Sequence, residues 1–161
     1  MKKSKISLNG FTLIELVIVI GIIAIAGAST AAASRGIQQR TLQNASLAIQ
    51  ADMRRAQRMA LMEGRRWRVQ FEERYNRYSI GPIPRDPNRL YIMYLPRGVY
   101  FEYLPRSSVD YLPRGTLGGT GFGTGTGFTM DLRSGRYMQR MTILPVTGRV
   151  TVFDIETLTG G

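Results

Sequence analysis

The chain has 161 residues, no Cys and no His, and a net charge of +11 at neutral pH. This length fits one domain plus an additional segment, and the missing residue types exclude disulfides, thiol nucleophiles, imidazole bases and the commonest zinc ligands. The charge favours an anionic partner, such as nucleic acid, lipid headgroups or an acidic protein surface. All three lysines (Lys2, Lys3 and Lys5) precede residue 6, and every other basic residue is Arg.

The first element in chain order is an apolar run that extends from Phe11 to Ala33. About 23 residues span roughly 34 Å as a helix, which is enough to cross a hydrocarbon core of about 30 Å. Lysines before the run and a polar region after it predict a cytoplasmic N-terminus and an extracytoplasmic body. The alternative is a secretory signal cut after residues 31–33, although such signals have a shorter apolar core of about 7–15 residues.

One acidic residue, Glu15, lies inside this apolar run. A carboxylate at the centre of a bilayer costs about 2.5–3.5 kcal/mol, so its presence needs a reason. One reason is that the side chain reaches the membrane interface from the helix end. Another is that it pairs with a cation. The N-terminal amine of a chain that began at Phe11 would be such a cation, four residues before Glu15 on the same helical face.

The stretch GFTLIEL at residues 10–16 resembles the processing motif of the type IV pilins and of the pseudopilins of type II secretion. The resemblance implies that prepilin peptidase cuts after Gly10 and that Phe11 becomes a methylated N-terminus. It also implies that Glu15 attracts the N-terminal amine of a neighbouring subunit during assembly. Under this interpretation the leader is removed and the hydrophobic helix is kept.

After Ala33 the helical pattern continues in amphipathic form, with Arg and Gln between apolar positions. No proline occurs before Pro82, and Gly64 is a typical helix stop. The sequence therefore predicts one helix of about 50 residues. Its second half is expected to pack an apolar stripe on a globular head, formed by Ile37, Leu42, Ala45, Ile49, Met53, Ala56 and Ala60.

Beyond Gly64 the sequence consists of short alternating segments separated by turn residues. Strands are predicted at 67–71, 77–80, 90–95, 99–104, 138–144 and 149–155, with a turn near 75–76 and a loop over 81–88. We predict an α+β fold in which a long N-terminal helix, membrane-spanning in its first half, packs on a C-terminal antiparallel β-sheet or β-sandwich head. The expected segments are a leader (1–10), a transmembrane or filament-core half-helix (11–33), an amphipathic half-helix (34–64) and the β-rich head (65–161).

Two repetitive stretches have simple structural interpretations. Tyr-Leu-Pro-Arg occurs three times, beginning at Tyr94, Tyr103 and Tyr111, with spacings too short for a solenoid repeat. Strand ends followed by proline turns explain these copies, and a repeated Tyr/Arg contact surface is the alternative. The glycine-rich stretch at 115–127 contains no phosphate-loop motif. We expect it to be a flexible loop that passes into an edge strand toward Phe128.

Looser similarity extends over most of the chain. The end of the helix, LPRGVYF at 95–101 and TGRVTVF at 147–153 resemble the H-type minor pseudopilins and the related FimT-like (GspH/FimT) minor pilins. That branch implies a β-sandwich head and a position with other minor subunits near a filament tip. The implied partners are other pilin or pseudopilin subunits, prepilin peptidase and the inner (cell) membrane, and the implied location is that membrane before assembly into a pilus or pseudopilus.

The resemblance to FimT-like minor pilins keeps nucleic acid among the candidate partners, because members of that branch are associated with DNA uptake. The arginines of this chain are the residues that could bind it. Arg65, Arg66 and Arg68 surround Trp67, which combines phosphate-binding charge with a ring that can stack on bases. The alternative, which we favour, is that these arginines face solvent or acidic neighbours and that Trp67 belongs to the core. The C-terminal region carries only Arg149 beside two acids, which weakens the analogy with DNA-binding members.

No catalytic, metal-binding or cofactor-binding constellation is visible in the sequence. Without His, Cys or a lysine in the head, a nucleophile has no evident activating group. Adjacent acids such as Glu72 and Glu73 point to opposite faces of a strand, so they do not form a carboxylate pair. Three hypotheses remain: a minor subunit of a secretion pseudopilus, a DNA-binding minor pilin, and a membrane-anchored exported domain that does not assemble.

Overall fold

The computed structural model describes residues 12–118 and 127–158, with side chains throughout these ranges except at 26–35. The chain divides into two compact units, one ending at Gly36 and the other comprising Ile37–Gly161. The second unit contains the sheets and the part of the helix that packs on them, and we call it the head. The predicted leader lies outside the described residues, as do the processing residues Gly10 and Phe11.

The long helix α1 runs over Leu13–Glu63 and has 51 residues. It ends at Gly64, whose φ of +63° is the left-handed conformation that terminates helices at low cost when the residue is glycine. The predicted length and end of the helix are therefore confirmed.

In the first unit, the described apolar side chains of α1 are exposed on all sides of the helix, with Leu13 at 81% and Ile25 at 72%. A helix that is apolar all round requires an apolar environment supplied from outside itself. Among the described residues, the structure contains no helix that is both long and apolar enough to span a membrane. Phe11 and the side chains of 26–33, which belong to the predicted segment 11–33, lie outside the described residues.

In the head, α1 buries the predicted apolar stripe with one exception. The buried members are Leu42, Ala45, Ile49, Met53, Ala56 and Ala60. Ile37 is instead 64% exposed, because five residues at 100° each place it about 140° around the helix from Leu42. The prediction was wrong for Ile37 and is confirmed for the rest.

Nine strands follow the helix in the part of the chain that the structure describes. In chain order they are β1 (Arg66–Glu72), β2 (Arg77–Ile83), β3 (Tyr91–Tyr94), β4 (Tyr100–Tyr103), β5 (Ser108–Tyr111), β6 (Leu117–Gly118), β7 (Phe128–Ser134), β8 (Tyr137–Ile143) and β9 (Val150–Thr157). They form a five-stranded sheet in the order β3-β2-β1-β5-β6 and a four-stranded sheet in the order β4-β7-β8-β9. All strand pairs are antiparallel.

The two sheets share one core, into which α1 also packs. The ring of Phe71 on β1 lies 5.7 Å from that of Phe101 and 6.1 Å from that of Phe128, both of the other sheet. The helix contacts both sheets through polar groups as well: Ser46 Oγ donates to Gln139 on β8 at 2.5 Å, and Tyr78 on β2 donates to Asp52 at 2.6 Å. The predicted α+β class, with a helix on a β-sandwich, is confirmed.

The predicted loop over 81–88 begins too early, because β2 continues to Ile83. Pro82 lies opposite Trp67 in the ladder with β1, and both residues are buried. A Cβ atom on Gly81 would lie 3.1 Å from the Leu90 side chain, which explains a glycine inside this strand. Packing across the sheet therefore extends β2 through Gly81 and Pro82, although glycine and proline usually end a strand.

Three strands were not predicted as such. The sequence analysis assigns no strand to β5, it places the two-residue β6 inside the flexible loop predicted at 115–127, and it predicts only an edge strand toward Phe128 where β7 lies. In the structure β7 is an inner strand, paired with β4 on one side and β8 on the other. The predicted flexible loop corresponds at 119–126 to residues outside the description.

The three Tyr-Leu-Pro-Arg copies each mark a strand end. Tyr94, Tyr103 and Tyr111 are the last residues of β3, β4 and β5. Tyr94 and Tyr103 are exposed, whereas Tyr111 is fully buried. The strand-end interpretation is confirmed, and the copies do not present a common tyrosine surface.

Candidate functional site

The N-terminal candidate site is the first turn of α1. Thr12 precedes the helix, and the Glu15 amide donates to Thr12 Oγ1 at 3.3 Å and to its carbonyl at 3.1 Å. Thr12 thus occupies the N-cap position and satisfies an amide that the helix leaves without a partner. The cap fixes Glu15 in the first turn, where the helix dipole favours a negative charge.

The side chain of Glu15 is exposed among exposed apolar neighbours. It forms no ion pair with any described residue. A carboxylate in this setting can accept a cation from another chain without breaking an existing contact. Gly10 and Phe11, the other residues of the predicted motif, lie outside the described residues.

The second candidate site, Arg65 to Arg68, is divided by the geometry of β1. Trp67 is completely buried, while Arg66 and Arg68 point to the other face of the strand. The Trp67 ring belongs to the core and would have to leave it to stack on a base. The guanidinium of Arg89 lies 5.4 Å from this ring.

Arg68 is engaged within the sheet. Its Nε and one terminal nitrogen donate to the two oxygens of Asp110 on β5, at 2.6 and 2.9 Å. This bidentate hydrogen bonding to Asp110 raises the pKa of Arg68 above its usual value. Asp110 is buried, so the pair holds β1 to β5 and neutralises most of the charge that Arg68 would offer a phosphate.

Arg65 and Arg66 face a common depression with a third arginine that sequence reasoning did not select. The depression has a volume of about 470 Å³ and is lined by Gly64, Arg65, Arg66, Leu112, Pro113 and Arg114. Arg66 and Arg114 are exposed, and Arg114 Nε donates to Thr116 Oγ1 at 3.2 Å. Arg114 is the last residue of the third Tyr-Leu-Pro-Arg copy, and this repeat is the sequence feature that could have indicated it.

Arg65 is tied to the end of α1. Its Nε donates to Glu63 at 2.7 Å, and Arg89 donates to the other oxygen of the same carboxylate. The hydrogen bond from Arg89 is the main cause that lowers the pKa of Glu63. The depression therefore presents Arg66 and Arg114 with their full charge, and Arg65 with part of its charge compensated.

Comparison with known proteins gives one match over the N-terminal residues. The prokaryotic N-terminal methylation motif matches residues 9–31, a segment that contains Gly10, Phe11 and Glu15. No curated protein sequence matches the chain.

The fold is similar to those of a solved minor pseudopilin and a solved minor pilin. One is the minor pseudopilin EpsH of the type II secretion system of Vibrio cholerae, with a TM-score of 0.52 and 12% identity over 70% of this chain and 95% of that one. Another is the type IV minor pilin FimU of Pseudomonas aeruginosa, with a TM-score of 0.53 and 16% identity over 70% and 88%. At these identities the likeness is one of fold. Together, the methylation motif and this fold support a type IV pilin-like or pseudopilin family for the chain.

Proposed function

We propose that the chain is a minor filament subunit that is cut after Gly10, methylated at Phe11 and assembled through its N-terminal helix. The filament is a type II secretion pseudopilus or a type IV pilus, and the subunit lies near its tip. The observation that carries the proposal is the exposed Glu15 in the first turn of α1, inside the matched methylation motif. The role is structural rather than enzymatic, as it is for the proteins of similar fold.

The exposed apolar residues of the first unit agree with this role. Before assembly, their cover is the lipid of the cell (inner) membrane, with the head on the extracytoplasmic side. In the filament, helices of neighbouring subunits replace the lipid. Glu15 then pairs with the N-terminal amine of a neighbour, which offsets the cost of a carboxylate in an apolar environment.

Processing is tested by Gly10→Val. The β-branched side chain should prevent prepilin peptidase from cutting, so intact-mass measurement of membrane protein should show the full-length, unmethylated form. Wild type should show a chain that begins at Phe11 with one added methyl group. Normal maturation of the variant, or a cut after residues 31–33, would refute the assignment.

A second function, DNA binding by the head, is favoured by one observation: Arg65, Arg66 and Arg114 line one depression. Three arginines can neutralise neighbouring phosphates, and each phosphate contact contributes about 0.9 to the salt dependence of the affinity. Arg68 and Trp67 contribute less to this version of the site, because one is paired with Asp110 and the other is buried.

The DNA proposal is tested by replacing Arg65, Arg66 and Arg114 with Gln in the full chain in detergent. Binding to unrelated DNA sequences should weaken alike, and the slope of log K against log salt should fall by about 2–3. Replacing the exposed Arg74, Arg85 and Arg97 is the matched control for net charge. If wild type does not retain DNA at low salt, or if both triple variants lose the same slope, the head has no DNA site at this depression.

A further inference from the structure

The solvent face of α1 in the head carries charge of one sign. Arg40, Arg54 and Arg58 are exposed, and none forms an ion pair with a described residue. Arg54 and Arg58 follow Arg40 by 14 and 18 residues, so the three positions lie within about 40° of one another around the helix axis. They lie opposite the buried stripe, on the side that faces away from the sheets.

The acids of the same half-helix do not neutralise this face. Asp52 accepts a hydrogen bond from Tyr78 at 2.6 Å, and Glu63 accepts from Arg65 and Arg89. Both carboxylates are therefore used within the head. The positive charge on the outer face is left for a partner.

The centre of the face is apolar. Leu47 lies between Arg40 and Arg54, seven residues from each, and is 47% exposed. Seven residues make almost two full turns, so Leu47 lies on the same face as the arginines. A contact area with an apolar centre and charged flanks is the usual arrangement of a protein–protein interface.

We propose that this face of α1, defined by Arg40, Leu47, Arg54 and Arg58, docks on an acidic surface of a different pilin-like subunit. The inference rests on the proposed function, because it names the chemistry of the partner that the assembled helix meets. Opposite charges fix the register of such a contact and exclude wrong partners. The surface selects a neighbour by charge, whereas the N-terminal segment provides the common route into the filament.

A second copy of this chain is a poor occupant. Its own helix face would bring arginines against arginines, and its net charge is +11. Within the described part of the head, the exposed acids outside ion pairs are Glu73, Asp154 and Glu156. These three residues are therefore the positions to examine for a contact between copies.

The chain's own composition allows a direct test for an acidic neighbour. Its only lysines precede residue 6, so Arg54→Lys or Arg58→Lys in the full chain gives the head a single side-chain amine. A zero-length carbodiimide then joins this amine to a carboxylate that touches it. Arg97→Lys, at an exposed position on the β3–β4 turn, is the matched control.

In native membranes that contain the other pilin-like subunits, we expect Arg54→Lys and Arg58→Lys to link to Asp or Glu of a different subunit. Mass spectrometry identifies the linked residues, and the yield should exceed that of Arg97→Lys about tenfold. Links to Glu73, Asp154 or Glu156 of a second copy would overturn the proposal. A yield no higher than that of the control would overturn it as well.

Charge reversal separates this surface from the assembly mechanism. Arg40→Glu, Arg54→Glu and Arg58→Glu together should lower recovery in sheared filaments about tenfold relative to Arg74→Glu, Arg85→Glu and Arg97→Glu. If Glu15→Leu lowers recovery and the helix reversal does not, the surface is wrong and assembly stands. If Glu15→Leu is recovered like wild type, the proposed function fails, and the carbodiimide links still decide the surface.

Discussion

At the scale of single residues, Glu63 connects three parts of the head. It is the last residue of α1, and its carboxylate accepts hydrogen bonds from Arg65 next to β1 and from Arg89 next to β3. Arg89 also covers the buried Trp67 ring. The end of the helix is thereby fixed to two segments of the five-stranded sheet.

The Glu63 contacts predict a specific dependence of stability on pH. Because Arg89 and Arg65 lower the pKa of Glu63 from its ordinary value of 4.5, the folded head binds this proton more weakly than the unfolded chain does. The stabilisation is complete above pH 4.5 and is lost as pH falls through the lowered pKa. Thermal unfolding of the full chain in detergent, followed by fluorescence of Trp67, should therefore show a Tm advantage of wild type over Glu63→Gln that shrinks as pH falls below 4.5.

The matched control is Glu73→Gln, which replaces an exposed acid outside any ion pair among the described residues. Its Tm should follow that of wild type at every pH. If wild type and Glu63→Gln lose Tm in parallel on acidification, Glu63 does not stabilise the head through its charge.

The single-residue scale also shows why the candidate DNA site could be only partly predicted. Four consecutive residues, Arg65 to Arg68, look like one surface in the sequence, but strand alternation sends Trp67 into the core. Arg114 joins Arg65 and Arg66 only through the pairing of β5 with β1. Such a contact between distant residues leaves no local pattern.

At the scale of elements, α1 is the part that the sequence predicted best, because its periodicity is local and extends over many turns. β1, β8 and β9 were also predicted close to their observed bounds. β5 and β7 were not, and each contains an aspartate, a residue that disfavours strands. Asp110 on β5 pairs across the sheet with Arg68, and Asp131 on β7 pairs with Arg140 at 2.9 and 3.0 Å. These cross-strand partners compensate the unfavourable residue, and only the folded register reveals them.

The packing of α1 on the sheets predicts different effects for two isoleucines of the same helix. Ile49 is completely buried and Ile37 is 64% exposed. Ile49→Ala should lower the free energy of unfolding of the head by about 2–5 kcal/mol, through lost burial and the cavity that remains. Ile37→Ala should change it by less than about 0.5 kcal/mol.

Denaturant titration of the full chain in detergent, followed by Trp67 fluorescence, measures both changes. Because the substitution and the helix are the same, helix propensity affects the two variants alike. Equal destabilisation by the two substitutions would contradict the packing of this helix face.

At the scale of the whole molecule, the residues divide between two tasks. The first unit presents apolar side chains and one carboxylate, whereas the head uses its helix and two sheets to close a core of its own. Among the described residues of the head, five acids form ion pairs with arginines. The excess of Arg consequently remains on the surface. This division agrees with the proposed function, in which the first segment assembles into a filament and the head determines which subunits it contacts.

The central claim is that Glu15 recruits the chain into a filament by its charge, and recovery of Glu15 variants in sheared or purified filaments tests it most directly. Glu15→Leu should enter the membrane at least as well as wild type, because an unfavourable charge has been removed, and Glu15→Gln keeps the size and hydrogen bonding without the charge. We predict that both variants stay intact in the membrane fraction and are absent from filaments. Recovery of intact Glu15→Gln and Glu15→Leu in filaments at the wild-type level would contradict the account.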